Sequence, residues 1–261
     1  FLTNRLPVLD RLEVEMFDLR FVLRGVQTPP PQTVIVAVDE KAAAQFGRWP
    51  FSRRYFAQAV DRLKADGAKV IAFDVIFPQE EGAMPSSVKE RLGEIAQGLP
   101  PGSEAAQQVA QLANTPSPDD ALAASMKSAG NAILGFNLDL GGTELSSPQV
   151  PAFLEDWAYG RVAAEDPSHS LAFATSASGV LPPLATLGRA ARTGGVVNLV
   201  ADPVDNAPRT EPLAVPYKDE IYPSLSVAMA AAGRDVVPSG LKVDPGGGCE
   251  IGYRLVPTDR K

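Results

Sequence analysis

Two aspartates that close apolar runs are the first residues with chemistry to offer. Asp39 ends Thr33-Val-Ile-Val-Ala-Val-Asp39, and Asp74 lies in Gly67-Ala-Lys-Val-Ile-Ala-Phe-Asp74-Val-Ile-Phe77. An acid at the carboxyl end of a strand sits where open α/β sheets bind ligands. As a pair, Asp39 and Asp74 could hold a cation or a polar ligand. Each could equally cap the turn or helix that follows, accepting backbone N–H bonds. Between them lies Phe46-Gly-Arg-Trp49-Pro-Phe-Ser-Arg53-Arg54. An exposed Trp49 beside Arg53 and Arg54 suits ligand stacking and anion pairing. The competing reading packs Trp49 over a crossover and pairs Arg53 with Asp39 or Asp74 as a structural ion pair. Asp205 and Arg209 could form a second wall near Asn198, or be a turn residue and a surface arginine. Asp18 and Arg20 stand two apart on a helix, so they cannot pair with each other; they are expected to anchor that helix to the sheet.

Other reactive residue types fall out. The one histidine, His169, excludes a multi-histidine metal site within the chain. No serine sits in a Gly-x-Ser-x-Gly elbow, so a hydrolase triad has no support. Gly246-Gly-Gly248 lacks the lysine and following helix of a phosphate loop. Cys249, the only cysteine, excludes an intramolecular disulfide framework and reads as inert. No cofactor is implied. The net charge of −7 argues against broad nucleic-acid binding, where basic surface dominates affinity. The chain has 261 residues, 45% of them hydrophobic, enough for a sizeable core. No run reaches the roughly 18 apolar residues of a membrane span.

The elements that must position these residues follow from periodicity. Leu9, Leu12, Met16, Leu19 and Leu23 recur at three-four spacing, and Val14, Phe17 and Phe21 widen the apolar face, which predicts a helix over 3–24. Strands are predicted at 33–39 and 69–77, with a helix over 53–66 between them that Gly67 ends in a left-handed conformation. A helix between two strands predicts a parallel, adjacent pair. Residues 78–118, rich in Glu, Gln, Pro, Gly and Ala, predict two peripheral helices near 86–97 and 103–113. Asp119 is expected to cap a helix to Gly130, followed by a strand to Leu138. Then come a loop-rich region over 141–175, a strand over 194–200, a hairpin over 209–222, a helix over 224–233 and a hairpin over 241–255. Together these predict an α/β fold: a single domain with a central mixed sheet flanked by helices and a long N-terminal helix.

The motifs resemble those of a known family, the CHASE type-two domain (cyclase and histidine-kinase associated sensory extracellular domain). The likeness is carried by Phe17-Asp18-Leu-Arg20, Val36-Ala-Val-Asp39-Glu, Gly47-Arg-Trp49-Pro-Phe-Ser-Arg53 and Gly67 to Phe77. Asp119-Asp120-Ala-Leu-Ala, Leu181-Pro-Pro-Leu, Gly194 to Asn198, Asp205, Arg209 and Tyr222-Pro-Ser-Leu225 extend it. In one departure, Asn206 stands where the family has glycine, and Asn tolerates the same positive-φ turn. Residues 78–118 match nothing in the pattern and read as an insertion. Val256 to Lys261 resembles the lead-in to a last strand and helix of the family. The resemblance implies a non-catalytic, extracytoplasmic sensory domain, with Phe1-Leu2 at the edge of a membrane anchor. It also implies an adenylate or guanylate cyclase as the commonest intracellular output, a protein kinase next, and a homodimer in the full receptor. The ligand, a small molecule or a protein, is not named by the sequence. The competing class is a soluble metal-assisted hydrolase using Asp39 and Asp74. The heptad rhythm from Leu9 to Leu23 would suit a parallel dimer seam. The same residues could cover the sheet. Phe17 and Phe21 are expected to face the domain's own core, with the helix's N-terminal half nearer any partner.

Overall fold

The computed structural model describes residues 7–28, 32–82, 84, 86–140, 150–162, 177–202, 204–237, 240–244, 248–251 and 254–257. His169 and most of the predicted 141–175 loop region lie outside them. In chain order the elements are α1 (Pro7–Arg24), α2 (Glu40–Phe46), α3 (Arg53–Ala65), β1 (Ile71–Phe73), α4 (Ser86–Gly98), α5 (Glu104–Ala113), α6 (Pro118–Ala129), β2 (Ala132–Asp139), α7 (Ala152–Glu155), β3 (Arg161–Val162), β4 (Gly179–Leu181), α8 (Ala185–Ala190), β5 (Thr193–Val196), β6 (Val200–Ala201), β7 (Pro208–Thr210), β8 (Ala214–Tyr217), β9 (Glu220–Pro223), α9 (Leu225–Gly233), β10 (Leu241–Asp244), β11 (Gly248–Ile251) and β12 (Arg254–Pro257). The fold is α/β with a mixed, mainly parallel sheet and a long N-terminal helix. The chain gathers into two compact units, residues 1–51 with 199–211, and residues 52–198 with 212–261.

In the second unit β2 is the central strand. It pairs in parallel with β1 (Ile71 opposite Ala132) and with β5 (Ile133 opposite Thr193), and antiparallel with β4 through its last residues. Side chains alternate across a strand, so β2 serves two layers. Leu134, Phe136 and Leu138 pack in one cluster with Val60 of α3 and Leu122 and Met126 of α6, while Ile133 packs with Leu225, Ala228 and Ala232 of α9. Phe56, Phe73 and Phe77 meet edge to face with centroids 5.4 to 6.1 Å apart. Gly67, at φ +87°, closes α3 as predicted, with Ala68 N–H reaching back to Leu63 O at 2.9 Å. Smaller antiparallel pairs are β8–β9 and β10–β11–β12, with β3 parallel to β10.

Three expectations are corrected. Residues 33–39 form no strand; β1 pairs with β2 instead, and the run's Val34, Ile35 and Val36 are 79, 87 and 66% exposed. An apolar run shows that a segment could enter a sheet, but not which strand it would find. The predicted hairpin over 209–222 is two hairpins: Pro208–Thr210 pairs back onto β6, and β8 pairs with β9 across Lys218, whose φ is +53°. Asp119 does not cap α6. Ser117 does, accepting from Asp120 N–H at 3.0 Å while Asp120 returns the bond to Ser117 N–H at 3.2 Å, a reciprocal capping box.

Between residues 78 and 118 no described side chain is buried, and α4 and α5 pack on each other. Gln79 and Glu81 are nevertheless tied to Arg53, so a deletion has to spare them. Replacing 86–114 by a short Gly/Ser linker is expected to leave one cooperative urea transition, within about 1 kcal/mol of the parent, because loop length costs little. Loss of cooperativity would show that α4 and α5 belong to the core.

Candidate functional site

In the first unit the site is built on one arginine. β6 and β7 form a short antiparallel pair whose connection turns through Asn206 at φ +64°, so Asn does fill the place of a glycine there. Asp205 Oδ1 accepts from Ala207 N–H at 3.1 Å, which fixes the carboxylate at the turn. Four residues on, Arg209 meets it with a parallel fork, Nη1 to Oδ1 and Nη2 to Oδ2, both 2.6 Å. The guanidinium's other edge serves Asp18 of α1, with Nε to Oδ1 at 3.0 Å and Nη2 to Oδ2 at 2.8 Å. A planar fork with five donors can satisfy two carboxylates in this way, and lysine cannot. The Arg209 side chain is 12% exposed. The hydrogen bonds from Arg209 hold Asp18 below the usual carboxylate range and take Asp205 down to about 2, and the two carboxylates raise the arginine further.

A carboxylate with a folded pKa of about 2 against an ordinary 3.8 adds stability that is complete above the ordinary value and lost as pH falls toward the folded one. The clamp between α1 and the β6–β7 hairpin is therefore expected to open between about pH 4 and pH 2. Asp205→Asn is expected to flatten that limb of an acid titration followed by circular dichroism; an unchanged slope would show that the clamp contributes nothing.

A second cluster lies in the other unit. Arg53, in the first turn of α3, is buried, and its side chain and that of Asp119 are 10 and 7% exposed. Arg53 Nη1 lies 2.9 Å from Asp119 Oδ1, Nη2 donates to Gln79 O, and the Arg53 backbone N–H donates to Glu81. Glu81 N–H donates to Asp119 Oδ2 at 2.9 Å. The guanidinium also lies over the Phe77 ring, 5.3 Å from its centroid. Burial pushes the Asp119 carboxyl up, and the Glu81 N–H and Arg53 only partly oppose that. Neighbouring Arg54 donates to Pro116 O at 2.6 Å.

The expected residues thus divide. Asp205 and Arg209 do come together, and they recruit Asp18, which anchors α1 to a hairpin rather than to the main sheet. Arg53 does contact a carboxylate, but its partner is Asp119 and neither Asp39 nor Asp74. Asp39 caps α2, accepting from Ala42 N–H at 3.0 Å, and follows no strand. Asp74 follows β1 and is exposed. Trp49 is 46% exposed, its ring edge-on to Phe51 at 5.5 Å. Among the described residues no three His, Cys, Asp or Glu side chains converge as a metal site. An open cleft of about 520 Å³ lies elsewhere, with Glu155, Tyr217, Asp219, Glu220 and Tyr222 along it. The sequence reading missed it because its residues come from α7 and the β8–β9 turn, far apart in the chain. Asp119 was missed for a different reason: the Ser117-x-x-Asp120 box that frees it from capping was there to be read.

These features define an α/β chain with an arginine–carboxylate cluster in each of its two units. A family model for the CHASE2 domain matches residues 1–259, and the chain belongs to that family. CHASE2 domains are sensory, non-catalytic modules of signal transduction, typically extracytoplasmic. No curated protein and no solved structure matches the chain. Among the described residues no helix is long and apolar enough to cross a membrane.

Proposed function

We propose that this chain is the extracytoplasmic signal-receiving part of a bacterial membrane receptor whose intracellular output is an adenylate or guanylate cyclase. It acts as a homodimer in the full receptor, tethered through flanking transmembrane helices. The signal is a small ligand or a protein that prefers one of two positions of α1, and the output follows the population of that position. The observation that carries this reading is the Asp18–Arg209–Asp205 clamp. It fixes α1 to a hairpin nearly two hundred residues away in sequence through two charge-assisted bonds from Arg209 to Asp18, with two more from Arg209 to Asp205 holding the guanidinium in place, and such a joint is either made or broken. Asp39, Trp49 and Asp74 are the ligand-facing candidates on the surface. Arg53 is already engaged by Asp119.

The test is made in the full receptor, with cyclic AMP and cyclic GMP measured in cells. Arg209→Gln is expected to change basal output by at least about fivefold, the lower end of what the loss of one such coupling produces. Arg91→Gln, which disturbs only an exposed helix pair with Glu94, is expected to leave output unchanged. A receptor that makes neither nucleotide would remove the cyclase reading. Unchanged output in Arg209→Gln would remove the role given to the clamp.

A further inference from the structure

The outer face of α1 is apolar and, among the described residues, uncovered, and it carries a register. Leu9, Leu12, Met16, Leu19 and Leu23 are 58, 54, 47, 45 and 78% exposed. Their spacing alternates three and four, the a and d positions of a heptad. Among the residues of this helix whose side chains are described, the half-buried ones are Asp10, Val14 and Phe17. At 3.6 residues per turn the two sets are centred roughly 150° apart. The a/d stripe therefore faces away from the side by which α1 is held. Phe21, expected inside with Phe17, is 48% exposed, its ring tilted by 48° against that of Phe17 with centroids 5.0 Å apart. Phe17 and Phe21 fall at b and f, off the a/d stripe, and Val22 at g flanks it, 75% exposed.

Charge says what covers it. With Leu9 at a, Glu15 falls at g and Arg20 at e. In a parallel pair each g residue faces the e residue five positions on in the other chain. Glu15 of one copy thus meets Arg20 of the other, on both sides of the seam. Within one chain, among the described residues, Glu15 pairs with Arg11 at 3.4 Å with both side chains mostly exposed, a contact of little strength that is readily exchanged. We infer that the outer face of α1 is a parallel, in-register docking surface for α1 of a second copy of this chain, aligned by Glu15–Arg20 pairs. The inference rests on the dimeric receptor proposed above and gives that dimer its contact surface.

Cysteine cross-linking of the 1–261 chain in a Cys249→Ser background tests this. A parallel in-register seam places each d residue beside its own copy, so Leu12→Cys and Leu19→Cys are expected to form disulfide dimers at least about tenfold faster than Arg11→Cys, which points outward at position c. In the Leu12→Cys chain, Glu15→Arg or Arg20→Glu is expected to slow cross-linking by about tenfold, since two attractive pairs become repulsive. The double variant Glu15→Arg/Arg20→Glu is expected to restore the rate. Restoration reads only the contact between chains, because the pair with Arg11 stays broken in the double variant. Equal rates at Leu12 and Arg11, an antiparallel pattern in which Leu12 links to Leu19 but not to itself, or a double variant slower than either single would each overturn the inference. Cyclic-nucleotide output that still responds to Arg209→Gln after such a failure would leave the sensor reading standing without this seam.

Discussion

Removing either member of the Arg53–Asp119 pair is expected to cost about 3 kcal/mol at neutral pH, because it leaves the other charge buried and unpaired. The two losses should differ in their pH dependence. In Arg53→Met the orphan is Asp119, whose carboxyl burial already pushes up. That carboxyl can take a proton, and with the guanidinium gone it holds the proton to higher pH. A carboxyl whose folded pKa is raised disfavours folding in full above that pKa, and the penalty fades as pH falls from there toward the unfolded value. The deficit of Arg53→Met should therefore shrink as pH falls from 7 toward 5. In Asp119→Leu the orphan is an arginine, which cannot shed its charge, and the deficit should persist across that range. Glu81 N–H and Gln79 O lose partners as well. The double variant should for that reason recover part of the loss but not all of it. Urea midpoints at pH 5 and 7 measure this; deficits under about 1 kcal/mol in both single variants would show that the cluster is surface-like.

What the sequence discloses and what it hides separate along a physical line. Local signals survived contact with the structure. The helix over 53–65 and its positive-φ Gly67 follow from periodicity and sterics within a few residues. Asn206 takes the left-handed turn for the same local reason. The capping box at Ser117 was equally local, and only the neighbouring Asp119 drew attention from it. Partners were a different matter. Arg53 carries no mark of whether it will find Asp39, Asp74 or Asp119, because that choice depends on where α6 lands on α3. Asp18 and Arg209 lie 191 positions apart, and nothing in either segment points at the other. The apolar run at 33–39 could enter a sheet, yet a ladder needs a second strand, and β1 is taken by β2 on the side that is paired. The resemblance to a sensory family, carried by Trp49, Arg53 and the Gly67–Phe77 segment, was legible because those motifs are contiguous.

Gly195→Ala is expected to be the most damaging single-methyl substitution in the sheet, at about 3 kcal/mol, the upper part of the usual cost of overpacking. β5 runs beside β2, and its next residue, Val196, bridges to Ser224 at the start of α9. A Cβ on Gly195 would lie 2.5 Å from Leu225 Cα, 2.7 Å from Leu225 N and 2.7 Å from Ser224 O. All three are backbone atoms, so no rotamer change relieves the clash, and the first turn of α9 would have to move. The helix that starts there carries Leu225, Ala228 and Ala232 against Ile133. The movement would open the sheet's second face. The loss of glycine's freedom in the unfolded chain returns somewhat under 1 kcal/mol and does not reverse the sign. Gly188→Ala is the informative contrast. The atoms nearest its Cβ would be those of the Phe153 ring, from 2.4 Å, and a ring can turn. Gly188 also lies inside α8, where alanine is favoured by about 1 kcal/mol. The expected order is therefore Gly195→Ala well below the parent in urea midpoint, with Gly188→Ala between them and m unchanged in both. A Gly195→Ala chain within about 0.5 kcal/mol of the parent would mean that α9 does not seat on β5 as closely as Leu225 and Ser224 place it.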